Sequence, residues 1–245
     1  MRLIFIRHGD PDYVHDSLTE KGRREAALLA ERVATWKVDE FYCSPLGRAK
    51  ETARYSLEKL NRQAQTFEWL KEFYITIKDP ETGKDRIPWD FMPDFWTSDP
   101  HFYDKDNWTE AEVFKTGDLR KNYDEVAAGL DSILAKHGYI RSGAVYKTNH
   151  TQPTGSGIAA QDGKTLVFFC HLGVSFVMMA HLLGFSPAQL FHNFFVAPTS
   201  VTVLNAEERI AGTAMFRTQV IGCTRHLAGL EPVSASGYFT DVFQD

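Results

Sequence analysis

Five side chains that could handle a phosphate group occur at the ends of short segments of the chain. The set is two arginines, two histidines and one glutamate: Arg7, His8, Arg48, Glu72 and His171. Guanidinium groups offer forked donors that match phosphate oxygens, and a neutral imidazole can attack phosphorus. A poorly hydrated carboxyl group could stay protonated and donate to a leaving alkoxide. These residue types predict phosphoryl chemistry, provided that the fold brings them together.

The segments before these residues have the pattern of buried strands. Residues 2–6 lack polar alternation, which is typical of a strand covered on both faces in a parallel sheet. Short apolar runs at 39–43 and 166–170 predict two more strands, and residues 66–70 predict another that ends near Glu72. Because reactive groups collect beyond the carboxyl ends of parallel strands, we expect the five side chains at one edge of one sheet.

Helical patterns alternate with these strands. Thr19 precedes a run with apolar residues on one helical face and is interpreted as an N-cap. Helices are predicted at about 20–36, 45–60, 122–137 and 173–184, with a short one from Pro187 and further strands near 200–204 and 213–220. The alternation predicts an α/β fold, a three-layer α/β/α sandwich with a mostly parallel central sheet.

One long segment interrupts the alternation. Residues of about 75–120 are rich in aromatics, aspartates and prolines without a stable period, and an unstructured loop of this length would be unusual in a compact domain. We interpret it as a cap inserted into a single domain that spans residues 1–245. Its aromatic part, 89–108, is expected to fold over the pocket, with outer packing or a dimer contact as a nearly equal alternative. Residues 147–163 predict a surface connection or an exposed hairpin.

Composition and charge limit the function further. Hydrophobic residues make up 43% and charged residues 24% of the 245 positions, as in soluble globular proteins. A net charge of -5 without a basic block argues against a nucleic-acid partner. Three widely spaced cysteines and a first apolar run too short for a signal peptide predict a reducing, cytoplasmic location. Histidines and glycines interrupt the apolar run 166–185, so we expect no membrane span there, and a homodimer is left open.

Several motifs resemble, in the same order, those of the histidine phosphatase superfamily, also called phosphoglycerate-mutase-like. They are Arg7-His8-Gly9, SPLGRAKETA from Ser44, LKE ending at Glu72, FFCHLGV around His171 and TRHLAG at 224–229. The resemblance implies a phosphoglycerate-mutase-like fold and a phosphohistidine intermediate on His8. It implies phosphate binding by Arg7, Arg48 and His171. It also implies proton donation by Glu72, without a metal ion or an organic cofactor.

Two departures from the family pattern bear on the reaction. Mutase members resemble R-H-G-E-x-x-W-N with a long following loop, whereas RHGDPDYVHDSLTEKG lacks both the tryptophan-asparagine pair and the loop length. Leu172 stands where the family often has a glycine. We therefore expect a phosphatase that acts on a phosphate monoester of a small metabolite. A phosphoglycerate-mutase-type phosphotransferase and a catalytically silent module that binds a phosphorylated ligand are the alternatives.

Two other kinds of site are weaker interpretations. The segment from Cys43 to Arg48 resembles the loop of a cysteine phosphatase, but it is one residue short of C-x5-R, and Pro45 lacks the N–H that a phosphate nest needs. Three aspartates and a histidine could ligate a metal ion, although shaping a loop is the more plausible role for them: Asp10, Asp12, His15 and Asp16.

Overall fold

The strands and helices form a sheet with helices on both faces, and the computed structural model describes them over residues 1–89, 91–151 and 163–234. The strands are β1 (Arg2–Arg7), β2 (Pro11–Asp12), β3 (Ser17–Leu18), β4 (Glu40–Cys43), β5 (Gln65–Thr66), β6 (Ile77–Lys78), β7 (Asp85–Arg86), β8 (Ile140–Ser142), β9 (Val145–Lys147), β10 (Thr165–Cys170), β11 (Val201–Ile210) and β12 (Thr213–Cys223). The α-helices are α1 (Glu20–Val33), α2 (Gly47–Leu60), α3 (Pro93–Ser98), α4 (Leu119–Lys136), α5 (Leu172–Leu183) and α6 (Pro187–Asn193). Short 3-10 helices lie at Glu68–Leu70, Pro100–Tyr103, Trp108–Glu110 and Phe114–Thr116.

The central sheet has eight strands in the order β5-β4-β10-β1-β11-β12-β9-β8. Its first four strands are parallel to one another, and every pairing from β1 to β11 onward is antiparallel. Two of the antiparallel pairings, β11–β12 and β8–β9, follow from tight hairpins, because a two-residue connection can only join antiparallel strands. Gly212 (φ 73°) turns β11 into β12, and Gly143 (φ 59°) turns β8 into β9. The predicted α/β sandwich is confirmed, but the sheet is mixed: it is parallel at one end, as predicted, and antiparallel at the other.

Side chains of β1 alternate between two core clusters, one on each face of the sheet. Ile4 and Ile6 pack in a cluster with Leu29 of α1 and residues of α2. Leu3 and Phe5 belong to a larger cluster that also contains side chains of α4, α5 and α6. Burial on both faces explains why β1 lacks polar alternation.

The Thr19 cap was predicted correctly, and it fixes where α1 begins. The Thr19 side chain accepts a hydrogen bond from the N–H of Gly22 at 3.0 Å, which satisfies one of the free amides of the first turn. At the start of α2, the Asp16 carboxylate takes this role by accepting from the N–H of Gly47 at 2.6 Å. Helix α2 therefore begins at Gly47, two residues after the predicted start at Pro45.

The predicted strand at 66–70 is wrong in its extent. Strand β5 covers only Gln65–Thr66, and its single neighbour β4 ends at Cys43, so residues beyond Phe67 find no strand to pair with. The chain instead turns into the 3-10 helix Glu68–Leu70, which buries Leu70. Glu72 follows this turn directly, so the residue still lies near the carboxyl edge of the sheet.

The segment at 75–120 is ordered into the β6–β7 ribbon, α3 and three short 3-10 helices. Two of its aromatic side chains, Phe102 and Trp108, are fully buried in the same core cluster as Leu3 and Phe5. These two rings therefore contribute to the core and not to a surface that covers a pocket.

Two sequence expectations concern chain segments near α5. The surface connection predicted at 147–163 falls mostly on residues 152–162, which lie outside the described residues. The apolar run 166–185 forms β10 and α5, as expected. Among residues 1–89, 91–151 and 163–234, no helix has the length and apolar character needed to cross a membrane.

Candidate active site

Three parallel strands place residues from distant parts of the chain at one edge of the sheet. Arg7 of β1 lies opposite Cys170 of β10, and Phe169 of β10 lies opposite Cys43 of β4. The residues that follow these strand ends are His8, His171 and Ser44. Since the three strands run in the same direction, their following residues become neighbours.

His8 is held as a neutral ring with one free nitrogen. The ring is buried and its centroid lies 5.1 Å from that of His171. Its Nδ1–H donates to the carbonyl oxygen of Gly9 at 2.8 Å, which leaves Nε2 without a proton. Burial, followed by the charge of Arg7, holds the pKa of His8 well below its usual value, and the bond to Gly9 only partly opposes this. The Nε2 lone pair is therefore available near neutral pH.

The backbone beside His8 is fixed by close contact with both helices of that face. The N–H of Gly9 donates to Thr52 Oγ1 of α2 at 2.9 Å. A Cβ atom on Gly9 would lie 2.8 Å from the carbonyl oxygen of Gly22 in α1, closer than side chains tolerate. Glycine is thus required at this position by packing.

The motif at 224–229 supports the same backbone from the other side. The N–H of Thr199 donates to the carbonyl oxygens of Arg7 and His8, both at 3.1 Å. Thr199 adopts a left-handed conformation with φ 56°, and its hydroxyl lies 3.1 Å from Nε2 of His226. The late histidine therefore braces the strand end, and its ring is not part of the cluster around His8.

Arg7 is a buried cation with unused hydrogen-bonding capacity. Its Nη1 donates to the carbonyl oxygen of Val196 at 2.7 Å, and its guanidinium lies 5.6 Å from the centre of the Phe195 ring. Within the described residues its buried Nε has no partner. Burial lowers the pKa of Arg7, but guanidinium groups remain charged in proteins.

Arg48 is oriented by Asp16. Its Nη1 donates to Asp16 Oδ1 at 2.6 Å, and the other oxygen of that carboxylate accepts from Gly47 N–H. The guanidinium lies 5.4 Å from the centre of the Tyr13 ring, which in turn lies 6.4 Å from the His8 ring. Tyr13 also interacts with Arg7. The exposed Tyr13 therefore covers the point where the two arginines and His8 converge.

His171 presents one nitrogen without a protein partner. Its Nε2 lies 2.7 Å from the hydroxyl oxygen of Ser44, which also accepts the N–H of Leu46. The Ser44 hydroxyl hydrogen can therefore be donated to Nε2, which places the ring proton on Nδ1. Nδ1 is buried and has no partner among the described residues. Burial, then the nearby His8, holds the pKa of His171 well below its usual value.

Glu72 reaches the cluster from the turn after β5. Its Oε1 accepts the N–H groups of Phe73 at 2.8 Å and of Val174, in the first turn of α5, at 3.1 Å. Burial raises the pKa of Glu72, and these bonds and the two arginines oppose the rise without cancelling it. The same loss of water thus favours a neutral His8 and a protonated Glu72.

Leu172, which stands where the family often has a glycine, is followed by Gly173. Leu172 is the first residue of α5 and lines the cavity described below. A Cβ atom on Gly173 would lie 2.8 Å from Glu72 Oε1 and 2.8 Å from a ring carbon of Trp89. Gly173 therefore allows α5 to approach both side chains.

A cavity of about 880 Å³ opens beside the cluster. Its wall includes Arg7, Arg48 and Glu72. The buried rings of His8 and His171 do not line it. Aromatic and apolar side chains provide most of the remaining wall: Tyr74, Ile87, Trp89, Leu172, Phe191, Phe194 and Phe195.

The two rival kinds of site find little support in this geometry. Burial raises the pKa of the Cys43 thiol to about 12, so it is not a thiolate near neutral pH. Within the described ranges, no three His, Cys, Asp or Glu side chains come together in a way that could hold a metal ion. Two of the candidate ligands have partners outside the set: Asp16 accepts from Arg48, and both oxygens of Asp10 accept hydroxyl hydrogens.

The structure thus brings all five predicted residues together, and it adds three that were not predicted as site residues. Ser44 contacts His171, Asp16 orients Arg48, and Tyr13 covers the cluster. Ser44 could have been found, because it directly follows a predicted strand, as His8 and His171 do. Nothing in the local sequence signals the roles of Tyr13 and Asp16, which depend on how the loop after β1 folds back.

Comparison with known proteins identifies the family of the chain. The family model of the histidine phosphatase superfamily (branch 1) matches residues 3–135, more than half of the chain. Phosphoserine phosphatase 1 of Hydrogenobacter thermophilus is 26% identical over 190 residues, which cover 71% of this chain and 82% of that protein. A probable phosphatase of Schizosaccharomyces pombe is 36% identical over 67 residues, or 24% of this chain, and the match spans 32% of that relative's length.

Solved structures share the fold. A phosphoserine phosphatase mutant from Entamoeba histolytica, in complex with phosphoserine, superposes with a TM-score of 0.58 at 20% identity over 92% of this chain and 98% of that one. A mycobacterial glucosyl-3-phosphoglycerate phosphatase gives 0.59 at 20% identity, over 91% and 98% of the two chains. The resemblance noted in the motifs is thereby confirmed: the chain belongs to the histidine phosphatase superfamily.

Proposed function

We propose that the protein hydrolyses a phosphate monoester of a small metabolite through a phosphohistidine intermediate on His8. The observation that carries this proposal is the buried His8 ring, whose Nδ1–H is engaged by Gly9 and whose Nε2 is free of a proton. A nucleophile of this kind needs a group that neutralises the phosphate and a group that supplies a proton. Arg7, Arg48 and Glu72 lie beside it.

In the first step, Nε2 of His8 attacks phosphorus and the bond from phosphorus to the ester oxygen breaks. The leaving alkoxide takes the proton of the Glu72 carboxyl group. Arg7, Arg48 and the Nδ1–H of His171 donate hydrogen bonds to the phosphoryl oxygens, whose negative charge increases in the transition state. Because Tyr13 lies against the arginines and His8, its side chain must move aside when phosphate enters.

In the second step, water attacks phosphorus and breaks the bond to His8. The Glu72 carboxylate accepts a proton from the attacking water, which restores the carboxyl group for the next cycle. Inorganic phosphate leaves, and His8 returns to its neutral form. Both steps use the residues of this chain alone, and we propose that no metal ion takes part.

Three further features support this setting. Relatives similar in sequence are named phosphatases, which favours hydrolysis over the mutase-type transfer. Ile87 and Trp89 line the cavity, which supports a cap role for residues of about 75–120 within one domain. The three cysteines are free thiols, as a reducing, cytoplasmic environment would leave them.

The test is to trap the phosphorylated protein. The purified chain is mixed with 4-nitrophenyl phosphate, quenched with denaturant at alkaline pH, digested and examined by mass spectrometry. We expect phosphate on the peptide that contains His8, stable in base and lost in acid. His8→Ala should show neither phosphopeptide nor turnover, while the exposed His101→Ala should behave as the wild type.

Each of the competing functions gives a different result. Phosphate transferred to an added alcohol in preference to water would indicate a phosphotransferase. Ligand binding without turnover or phosphoprotein would indicate a silent binding module. Turnover that disappears with a chelator and returns with a divalent cation would overturn the metal-free scheme, and full activity of His8→Ala would overturn the assignment of the nucleophile.

A further inference from the structure

The cavity is much larger than a phosphate group requires, and its wall combines charged with aromatic side chains. Arg7, Arg48 and Glu72 supply the charged groups that act on the phosphate ester. On the other side of Gly173 from Glu72, Trp89 packs against Phe191 with ring centroids 5.4 Å apart, and Tyr74 meets Trp89 edge to face at 6.4 Å. The organic part of a bound ester would therefore lie against aromatic rings.

The positive charge of the described cavity wall comes from the two arginines assigned to phosphate binding. Among the described residues that line the cavity, Arg7 and Arg48 are the cations, and no lysine is present. Residue 90 and residues 152–162 and 235–245 contain no lysine, arginine or histidine, so they cannot add a positive side chain. A carboxylate or a second phosphate on the substrate would find no cation beyond the pair that binds the first phosphate.

The histidine and the carboxylate that also line the wall are already engaged. His192 donates from Nδ1 to the carbonyl oxygen of Ala188 at 2.7 Å, and its Nε2 accepts the N–H of Phe91 at 3.3 Å, as in a neutral ring. Both oxygens of Asp10 accept hydroxyl hydrogens, one from Thr19 at 2.8 Å and one from Ser234 at 2.6 Å. The negative charge of Asp10 would also repel a second anionic group.

We propose that the substrate is a phosphate monoester whose organic group is uncharged and largely apolar, with an aromatic or similarly flat part that packs against Tyr74, Trp89 and Phe191. This inference rests on the proposed phosphatase function and specifies its substrate class. Burial of an unpaired carboxylate in this cavity would cost binding energy, because the lost water is not replaced by a charged partner. Phosphoserine and phosphoglycerate, which carry such a group, belong to the disfavoured class.

The test compares esters of primary alcohols, so that leaving-group chemistry is similar throughout. The substrates are 2-phenylethyl phosphate, propyl phosphate and O-phosphoserine, and kcat/KM is measured for each. Burying an aromatic ring is worth roughly ten- to hundredfold in this ratio, so we expect 2-phenylethyl phosphate to exceed propyl phosphate by about that factor. O-phosphoserine should fall below propyl phosphate.

A matched pair of tyrosines separates the effect of contact with the substrate from the general effect of removing an exposed aromatic side chain. Tyr74 lines the cavity with its side chain 66% exposed, and Tyr103 is 44% exposed but does not line it. Tyr74→Ala should reduce the preference for 2-phenylethyl over propyl phosphate by about threefold or more, as expected for loss of one aromatic contact. Tyr103→Ala should leave that preference unchanged.

The outcomes distinguish this inference from the function on which it rests. If O-phosphoserine is turned over as well as 2-phenylethyl phosphate, or if both tyrosine variants keep the wild-type preference, the substrate class is wrong while the phosphatase stands. If none of the three esters is cleaved and no phosphohistidine forms with 4-nitrophenyl phosphate, the proposed function fails and this inference fails with it.

Discussion

At the scale of single residues, one physical effect acts on His8 and Glu72 in opposite directions. Removal from water disfavours the charged form of each group, so the pKa of His8 falls and the pKa of Glu72 rises. The two arginines strengthen the effect on His8 but oppose it on Glu72. The shared loss of water thus favours the neutral form of both the base and the acid, which is the pairing that phosphoryl transfer from an alkyl ester requires.

Glu72→Gln tests the acid through the leaving group. Glutamine can still accept the N–H groups of Phe73 and Val174, but it cannot donate a carboxyl proton. For 2-phenylethyl phosphate we expect kcat/KM to fall by about 10² to 10⁴, the usual contribution of a general acid. For 4-nitrophenyl phosphate, whose leaving group departs as a stable anion, we expect a loss below about tenfold, because little protonation is needed.

The choice of kcat/KM matters for this comparison. This ratio reports the steps up to formation of the phosphohistidine. Hydrolysis of that intermediate also involves Glu72, but a slower second step does not change kcat/KM. Equal losses for the two esters would contradict a role in protonating the leaving group.

Sequence patterns identify some of these residues better than others. The five main side chains could be predicted because each lies at or soon after the end of a predicted strand, a position that one-dimensional patterns reveal. Asp16 and Tyr13 could not, because their roles depend on the loop after β1 returning to α2. A carboxylate that orients Arg48 and caps a helix has the same local sequence as one that only faces solvent.

At the scale of elements, helix limits could be predicted from local sequence, whereas the extent and direction of strands depend on distant partner strands. Helices α1 and α5 begin and end close to their predicted limits because capping and hydrophobic periodicity are local signals. The predicted strand at 66–70 shortened to two residues because its extent depends on where β4 ends. For the same reason, the antiparallel end of the sheet could not be assigned before the pairing of β11 with β1 was known.

The first turn of α5 is the element that joins the cap to the proton donor. Gly173 lies between Glu72 and Trp89, and a methyl group there would approach both to 2.8 Å. In an ordinary helix, Gly→Ala stabilises by about 1 kcal/mol, so any loss here must come from this contact. We expect Gly173→Ala to lower kcat/KM for 2-phenylethyl phosphate by about tenfold or more, within the range for a misplaced general acid.

The measurement pairs steady-state kinetics with thermal unfolding. Because the Trp89 side chain is partly exposed and can shift, we expect a larger effect on activity than on the melting temperature. Gly173→Ala in a Trp89→Ala background should recover part of the lost activity towards propyl phosphate, since one of the two clashes is gone. Activity within twofold of wild type for Gly173→Ala alone would show that α5 can move away without disturbing Glu72.

At the scale of the whole molecule, one buried carboxyl group outside the cluster links stability to pH. Glu25 of α1 is fully buried, and its Oε2 accepts the N–H of Asp10 at 2.9 Å. Its Oε1 has no partner among the described residues. Burial, opposed by that bond and aided by the charge of Asp10, raises the pKa of Glu25 to about 7.

The direction of the pH effect follows from this raised value. Below the unfolded pKa of about 4.5, Glu25 is protonated in both states and costs nothing. Between pH of about 4.5 and about 7, Glu25 is ionised in the unfolded chain and protonated in the folded chain. The free energy of unfolding therefore falls by about 1.4 kcal/mol per pH unit in this range. Above about 7 the loss is complete, on the order of 3 kcal/mol.

Glu25→Gln should remove this dependence, because the amide can accept the Asp10 N–H and never ionises. We expect the difference in unfolding free energy between variant and wild type, measured by urea denaturation, to shift in favour of the variant by about 3 kcal/mol from pH 4.5 to pH 8. Glu31→Gln, on the exposed side of the same helix with its side chain 69% accessible, is the control and should show little such shift. All other titrating groups cancel in each difference, so a flat result for Glu25→Gln would mean that Glu25 is ionised in the folded protein near pH 5. In that case the hydrogen bond from the Asp10 N–H would stabilise the ionised form of Glu25 more than the loss of water destabilises it.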